Sequence, residues 1–324
     1  MIITVTLNAA IDRTLAVPSF RLGRRHRAVE QNSMAGGKGI NVARALKALG
    51  RPVIATGFAG GHTGTRIIEQ LTDEAILSDF VRIREESRMS TAVIDPTSGE
   101  QTEINERGPS ISEAEVELFV DKLLYLAQGA AMCVFSGSLP RGVDPGIYAR
   151  LVEEVGSLGV TTILDCEGEP LRLATRSHPS VVAPNEIEAE ELVGHEFADD
   201  EDRRTAMSQM VEIGAREAIM TLSDGCLALH DGSDPAITRR LTRAVLEPLE
   251  PVSSVGSGDA FLAGYVAARY EGRPSEEQLR FGVACGAEST QHFGAGVIDP
   301  HEVERLATEV EMQVLDVPAV EIGG

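Results

Sequence analysis

With 324 residues, the chain exceeds the roughly 100–150 residues of a common single domain, so one large α/β domain with an accessory piece fits as well as two equal domains. Its 43% apolar and 24% charged residues describe a folded globule and exclude wholesale disorder. The formal net charge of −21 would repel a nucleic-acid backbone or an anionic lipid surface, so neither is an expected partner; a small phosphorylated ligand stays open, because helix N-termini and a few local cations overrule the global sign.

The opening run Ile2–Leu7 reads as a strand, with no basic leader or cleavage-like apolar core, and a cytoplasmic protein is expected. Residues 12–33 are short of helical pattern. Ala35-Gly36-Gly37-Lys38-Gly39 then opens a helix over Ile40–Leu49. Ile40, Ala43, Leu46 and Leu49 share its apolar face, Arg44 and Lys47 lie on the other, and Gly50 and Pro52 stop it. After a strand at Val53–Phe58, residues 80–105 read as consecutive strands (DFVRIRE, MSTAVIDP, EQTEIN) with no intervening helix. These two helix-poor segments, about 12–33 and 80–107, predict a small separate sheet serving as a lid or a dimer surface. Strands at Ala131–Phe135, Val160–Leu164, Ser180–Ala183 and Ala218–Leu222 alternate with helical patterns, the signature of a parallel sheet covered on both faces. The longest apolar stretch, Leu123–Phe135, is too short to span a bilayer. Cys133, Cys166, Cys226 and Cys285 show no CxxC spacing, so no disulfide framework or zinc site is expected. The predicted architecture is a single three-layer α/β domain over 1–324 with the small sheet attached.

Several apolar runs end in abrupt polar punctuation: Phe135 before Ser136-Gly137-Ser138, Leu164 before Asp165, Ala183 before Pro184-Asn185, and Leu222 before Ser223-Asp224-Gly225. In doubly wound sheets ligands lie beyond the carboxyl ends of the strands, so these four endings predict one crevice. The sharpest segment is Val255-Gly256-Ser257-Gly258-Asp259, which leads into an apolar helix. Its glycines let several N–H groups converge at a helix N-terminus, a concavity suited to a phosphate or a developing oxyanion. Asp259 in the first turn could take a proton from a hydroxyl while those amides hold the charged transition state. An acidic residue there also favours the helix dipole, and the segment alone admits both readings. The 36–39 glycine cluster lacks the spacing of a Walker A loop, and neither glycine cluster gives GxGxxG. Lys38 and its neighbouring amides could hold a phosphate or sugar hydroxyls; a flexible turn with a solvated lysine reads equally well. His62 reads as a loop contact, and Arg24, Arg25 and Arg27 as an exposed basic turn.

Taken together, GGKGINVA at 36–43, SGSLPRG at 136–142, PNEIE at 184–188 and VGSGDAF at 255–261 resemble the PfkB (ribokinase-like) carbohydrate kinase family over nearly the whole chain. TLNAAIDRT at the N-terminus and TEINERGP at 102–109 look most like the branch of 1-phosphofructokinases and tagatose-6-phosphate kinases. The resemblance implies a Rossmann-like ribokinase fold with a β-sheet lid, and ATP with Mg²⁺ as phosphoryl donor. It implies that Asp259 is the general base and that Gly256, Ser257 and Gly258 form the anion hole. Asp12, Gly37, Lys38 and Asn41 would face the acceptor sugar, with Arg88 near its phosphate. Asn185 and Glu188 match the family's NxxE motif, implied to organise Mg²⁺ and phosphate, and Ser223 and Gly225 the loop that contacts the nucleotide. Three positions depart from the branch pattern: Ala183 stands where lysine is common, the Ser223–Gly225 loop is one residue short, and Ser90 replaces an asparagine.

The implied activity is ATP-dependent phosphorylation of a hexose phosphate to a bisphosphate, with fructose 1-phosphate the leading acceptor and fructose 6-phosphate or tagatose 6-phosphate close behind. A kinase of unphosphorylated sugars or nucleosides is argued against by Lys38 and Arg88. A catalytically weak sugar-phosphate-binding protein is the alternative that Ala183 and the short loop keep open. A dinucleotide-binding oxidoreductase lacks its fingerprint after the first strand. A lid with one uncovered face predicts a homodimer formed through it.

Overall fold

The β-branched run Ile2–Thr6 (β1), buried along its whole length, is the hub of the main sheet. Behind it come a hairpin, β2 (Ala10–Ala16) and β3 (Glu30–Gly36), and helix α1 (Lys38–Ala48). Next are β4 (Val53–Gly60), α2 (Gly61–Asp73), β5 (Leu77–Ile83), β6 (Arg88–Ile94) and β7 (Gln101–Asn105). The chain continues through α3 (Glu113–Ala127), β8 (Met132–Ser136), α4 (Ile147–Ser157), β9 (Thr161–Asp165), α5 (Gly168–Thr175) and β10 (Val181–Val182). Helices α6 (Glu186–Val193) and α7 (Asp200–Ile213) lead to β11 (Glu217–Leu222), β12 (Gly225–His230) and β13 (Leu241–Val245). Helices α8 (Ser257–Tyr270), α9 (Ser275–Ser289) and α10 (Pro300–Ala307) and strand β14 (Glu311–Leu315) close the fold. This computed structural model describes residues 1–230 and 240–317.

Ten strands form the main sheet in the order β14-β13-β12-β11-β10-β9-β8-β1-β4-β5. The pairings from β5 across to β11 are parallel, and those from β11 to β14 are antiparallel. One face is covered by α1, α2, α8, α9 and α10, with Ile40, Leu46, Ile67 and Tyr265 fully buried beneath them. The other is covered by α3 to α7, over Phe119, Tyr148, Leu151 and Met207. Successive side chains of a strand point to opposite faces, so a strand between two helical layers is buried on both, as β1 and β8 are along their whole length. All four cysteines are free and buried. Among the described residues, no helix is long and apolar enough to cross a membrane.

The second sheet has four strands in the order β3-β2-β6-β7. Strand β2 pairs antiparallel with β3 and parallel with β6, aligning Asp12 with Met34 and with Ser90. Its limits depart from the sequence expectation in one respect. The segment DFVRIRE does not join it; β5 pairs in parallel with β4, from Ile54 opposite Leu77 to Gly60 opposite Ile83. The helix before it supplies the reason, because β4-α2-β5 is a crossover unit that lays two parallel strands side by side. Arg44 is a second correction: expected on the outer face of α1 beside Lys47, it is 8% exposed, while Lys47 is exposed.

Candidate active site

The carboxyl ends of β1, β8 and β9 and the N-termini of α1 and α8 open onto one cavity of about 680 Å³, a size typical of small-molecule sites. The small sheet contributes Asp12, Thr14, Arg88, Ser90, Glu103 and Asn105 to its lining. In the floor, the buried side-chain oxygens Thr6 Oγ1, Asn8 Oδ1 and Ser136 Oγ have no partner among the described residues. Such unfilled acceptors are costly in a folded interior and concentrate where ligands bind.

Asp259 lies in the first turn of α8. The helix is entered through Gly256, whose φ of 78° lies in the left-handed region and whose Cβ, were there one, would meet Ala295 Cβ at 2.6 Å. No side chain caps this N-terminus; the Ser257 amide makes a 3.3 Å bond to the Ser254 carbonyl, and the amides of Gly258 and Asp259, without a partner among the described residues, remain available to an anion. Asp259 is 6% exposed and accepts a 2.8 Å hydrogen bond from Asn41 Nδ2. Burial, reinforced by the nearby Asp165 carboxylate and offset by Lys38 and Asn41, pushes its carboxyl up to about 8. A carboxyl poised there can take up a proton near neutral pH.

Lys38 begins α1, and its Nζ lies 3.0 Å from Asp165 Oδ1 and 3.1 Å from Glu188 Oε1. Burial opposes its charge, but Asp165, Glu188 and Asp259 outweigh that and hold the ammonium well above its ordinary range. Glu188 also closes a capping box on α6: Asn185 Oδ1 accepts from the Glu188 amide at 2.9 Å, and the Asn185 amide donates to Glu188 Oε2 at 2.9 Å. Burial pushes the Glu188 carboxyl up, against the pull of Lys38.

At the small-sheet end, the Gly37 amide donates to Asp12 Oδ2 at 3.3 Å. A Cβ on Gly36 would lie 1.9 Å from Asp12 Oδ2, so a larger residue there would displace that carboxylate. Burial raises the Asp12 carboxyl, partly countered by Arg88. Arg88 donates through Nε to the Asn8 carbonyl at 3.0 Å. Arg88, Glu106, Arg107 and Arg141 also line an adjoining cavity of about 500 Å³, so three guanidinium groups border the passage between the two.

The structure thus brings Asp259, Gly256, Ser257, Gly258, Asp12, Gly37, Lys38, Asn41, Arg88, Asn185 and Glu188 to one cavity. Ser223 and Gly225 do not line it. Ser223 and Asp224 form the turn of the β11–β12 hairpin, in which Leu222 pairs with Gly225. That turn is drawn towards β13 by the 2.5 Å Asp224–Arg243 ion pair and by the Leu246 amide on the Asp224 carbonyl. Thr221, two residues earlier, lines the cavity instead. Asp165 was legible only as a strand ending; its place beside Lys38 comes from β9 lying next to β8 in the sheet. Asn8, which donates to the Arg107 carbonyl and to Ser138 Oγ, and Arg107 itself were missed as site residues. His62, expected in a loop, lies exposed in the first turn of α2, because the glycine-flanked segment starts that helix; Arg24, Arg25 and Arg27 are exposed, as expected.

A mainly parallel sheet with helices on both faces, a glycine-bounded helix N-terminus and a buried carboxylate lining one cavity together form an α/β fold suited to phosphoryl transfer. A family model described as "pfkB family carbohydrate kinase" matches residues 3–302, and the chain belongs to that family. It is 36% identical over 314 residues to a 1-phosphofructokinase of Borreliella burgdorferi, covering 97% of this chain and 98% of that one. It is 32% identical over 316 residues to a tagatose-6-phosphate kinase of Staphylococcus epidermidis, covering 96% and 99%. Among solved structures, phosphofructokinase-2 from Escherichia coli in complex with substrates and products superposes with a TM-score of 0.87 at 29% identity, covering 95% of this chain and 98% of that one.

Proposed function

We propose that this protein transfers the terminal phosphoryl group of ATP to a hydroxyl of a hexose phosphate, with fructose 1-phosphate as the leading acceptor and fructose 6-phosphate or tagatose 6-phosphate next. The observation that carries the reading is the pairing, in one cavity, of Asp259 at an uncapped helix N-terminus with Arg88 and Arg107 across it. The names of its relatives support the acceptor class. The orphaned oxygens of Thr6, Asn8 and Ser136 suit a ligand rich in hydroxyls.

ATP would supply the phosphoryl group, and Mg²⁺ would offset its charge. The residues fit that pair in a particular way. No group of three or more acidic, histidine or cysteine side chains that could hold a metal converges among the described residues. Both oxygens of the Glu188 carboxylate are already engaged, by Lys38 and by the Asn185 amide, so Asn185 and Glu188 would reach a magnesium ion through its water, as suits an ion that gives up its waters reluctantly.

In this reading Asp259 takes the proton of the attacking hydroxyl, and the amides of Gly256, Ser257 and Gly258 receive the negative charge on the phosphoryl group in flight. Lys38 keeps Asp165 and Glu188 compensated at the cavity floor. Asp12, Gly37 and Asn41 orient the sugar, and Arg88 and Arg107 engage its phosphate. The small sheet acts as the lid of a cytoplasmic enzyme and as the surface of a homodimer. On β7, Glu103 and Asn105 face the cavity, so Ile104, 63% exposed, lies on the opposite face.

The decisive experiment is a coupled ADP-release assay with ATP-Mg²⁺ and fructose 1-phosphate, fructose 6-phosphate, tagatose 6-phosphate, fructose and ribose in parallel. Turnover confined to a phosphorylated hexose is the expected result. Silence on all five in folded protein, with calorimetric binding of a sugar phosphate, would replace the kinase reading with that of a binding protein.

A further inference from the structure

Arg44 is the residue that departs furthest from its sequence pattern, and its surroundings give the reason. All five of its N–H donors are used. Nε donates to Glu74 Oε2 at 2.6 Å and Nη2 to Glu74 Oε1 at 3.1 Å. The second Nη2 proton goes to the Ala35 carbonyl at 2.5 Å, and Nη1 donates to the Ala295 carbonyl at 3.1 Å and to Asn41 Oδ1 at 3.2 Å. A guanidinium offers five donors in a rigid fork, and an ammonium cannot reproduce that pattern.

Apart from Glu74, each acceptor belongs to a different part of the site. Ala35 is the next-to-last residue of β3, just before the close approach of Gly36 to Asp12. Ala295 packs against Gly256, the entry to α8. Asn41 is the partner of Asp259. The last link is the informative one. A side-chain amide has two ends of opposite polarity. With Arg44 donating to its Oδ1, the Asn41 amide must turn Nδ2 towards the Asp259 carboxylate. Turned over, it would set an oxygen against that carboxylate and a nitrogen against the guanidinium.

We propose that Arg44 is a positioning residue for the phosphoryl-transfer site. It sets the orientation of the Asn41 amide, and through it Asp259, while tying that pair to the Gly256 turn and to the root of the small sheet. This rests on Asp259 acting as the base in the reaction proposed above. Arg44 itself does not border the cavity, so its loss should alter the chemical step more than ligand binding.

The test is a double-mutant cycle on the full chain. Arg44→Lys should lower kcat about 10–100-fold, the penalty of a displaced catalytic group, with KM for ATP and for the sugar phosphate held within about threefold. In an Asn41→Ala background, where the amide is already gone, the same change should cost about threefold or less. Full-sized losses in both backgrounds, or an unchanged kcat in folded Arg44→Lys, would overturn the proposal. If Arg44→Lys does not fold, Glu74→Gln loosens the guanidinium without removing it and should give a smaller loss with the same non-additivity. A second readout needs no turnover: the Asn41 side-chain amide protons, assigned by NMR through their disappearance in Asn41→Ala, should exchange slowly with solvent in the wild type and quickly in the Arg44 or Glu74 variant. Equal exchange in both would refute the link even if the kinase reading stood. A slowed exchange in a protein that phosphorylates no hexose would remove the kinase reading and, with it, the catalytic meaning of the link.

Discussion

The Nζ of Lys38 lies 3.0 Å from Oδ1 of Asp165, joining the first turn of α1 to the carboxyl end of β9 across the floor of the cavity. With Glu188 on its other side, this single ammonium compensates two carboxylates that are each less than a tenth exposed. Removing it leaves them facing each other in a poorly solvated site. Lys38→Ala is therefore expected to destabilise the protein by about 1–3 kcal/mol at pH 8, less than for a fully buried pair because the lysine side chain is about a third exposed. The effect should shrink towards pH 5, because burial already raises the Glu188 carboxyl and protonation relieves the unpaired charge. Thermal melts of both proteins from pH 5 to 8 check this; a difference that stays constant with pH would contradict it.

Asp259→Asn should retain sugar-phosphate binding and lose turnover by about 10²–10⁴-fold, the usual contribution of a general base. The same substitution should stabilise the fold. The folded carboxyl is raised to about 8, above its unfolded value of 3.8. The wild type therefore holds its proton more tightly folded than unfolded, and loses stability relative to the variant as pH rises from about 4 to about 8. Melting temperatures of the two proteins should diverge over that window and run parallel above it.

The pH dependence of wild-type kcat/KM for the sugar phosphate, with ATP-Mg²⁺ saturating, should rise through about 8 and level off, because Asp259 must be unprotonated to accept the hydroxyl proton. That limb should be missing from the residual activity of Asp259→Asn. An unchanged limb in the variant would assign the ionisation to another group.

Arg107→Ala should raise KM for a phosphorylated acceptor about 10–100-fold, the worth of a charge-assisted hydrogen bond, and leave KM for ATP alone. Arg107 borders the cavity at the small-sheet end, beside Arg88 and Arg141. Initial-rate kinetics with each substrate varied in turn decide the matter; equal effects on both would mean that the arginine does not read the acceptor.

Much of this molecule was legible in the chain. Near-continuous apolar runs can only be strands between two helical layers, and β1, β8, β9 and β11 lie within a residue of where those runs predict them. Gly37 and Gly256 marked two helix N-termini, because a side chain rarely adopts the positive φ found at both. What escaped the pattern was non-local. Strand β5 shares its alternation with β6 and β7, and periodicity records which side chains are buried but not which neighbour a strand pairs with. The Ser223–Gly225 turn looked like the other polar strand endings, but it is a hairpin held towards β13 by Arg243, a residue 19 positions further on from Asp224.

By itself, then, the sequence determined the layered α/β architecture, the glycine-bounded helix starts and the residue types gathered at the strand ends, since these follow from side-chain period and backbone sterics within a few residues. The tertiary structure decided which of those ends share a cavity, that Lys38 spends its charge on Asp165 and Glu188, and that Arg44 turns inward. Those outcomes depend on acceptors and charges brought together from 30 to 251 residues away in the chain, and a buried charge settles wherever the fold supplies enough partners to replace its water.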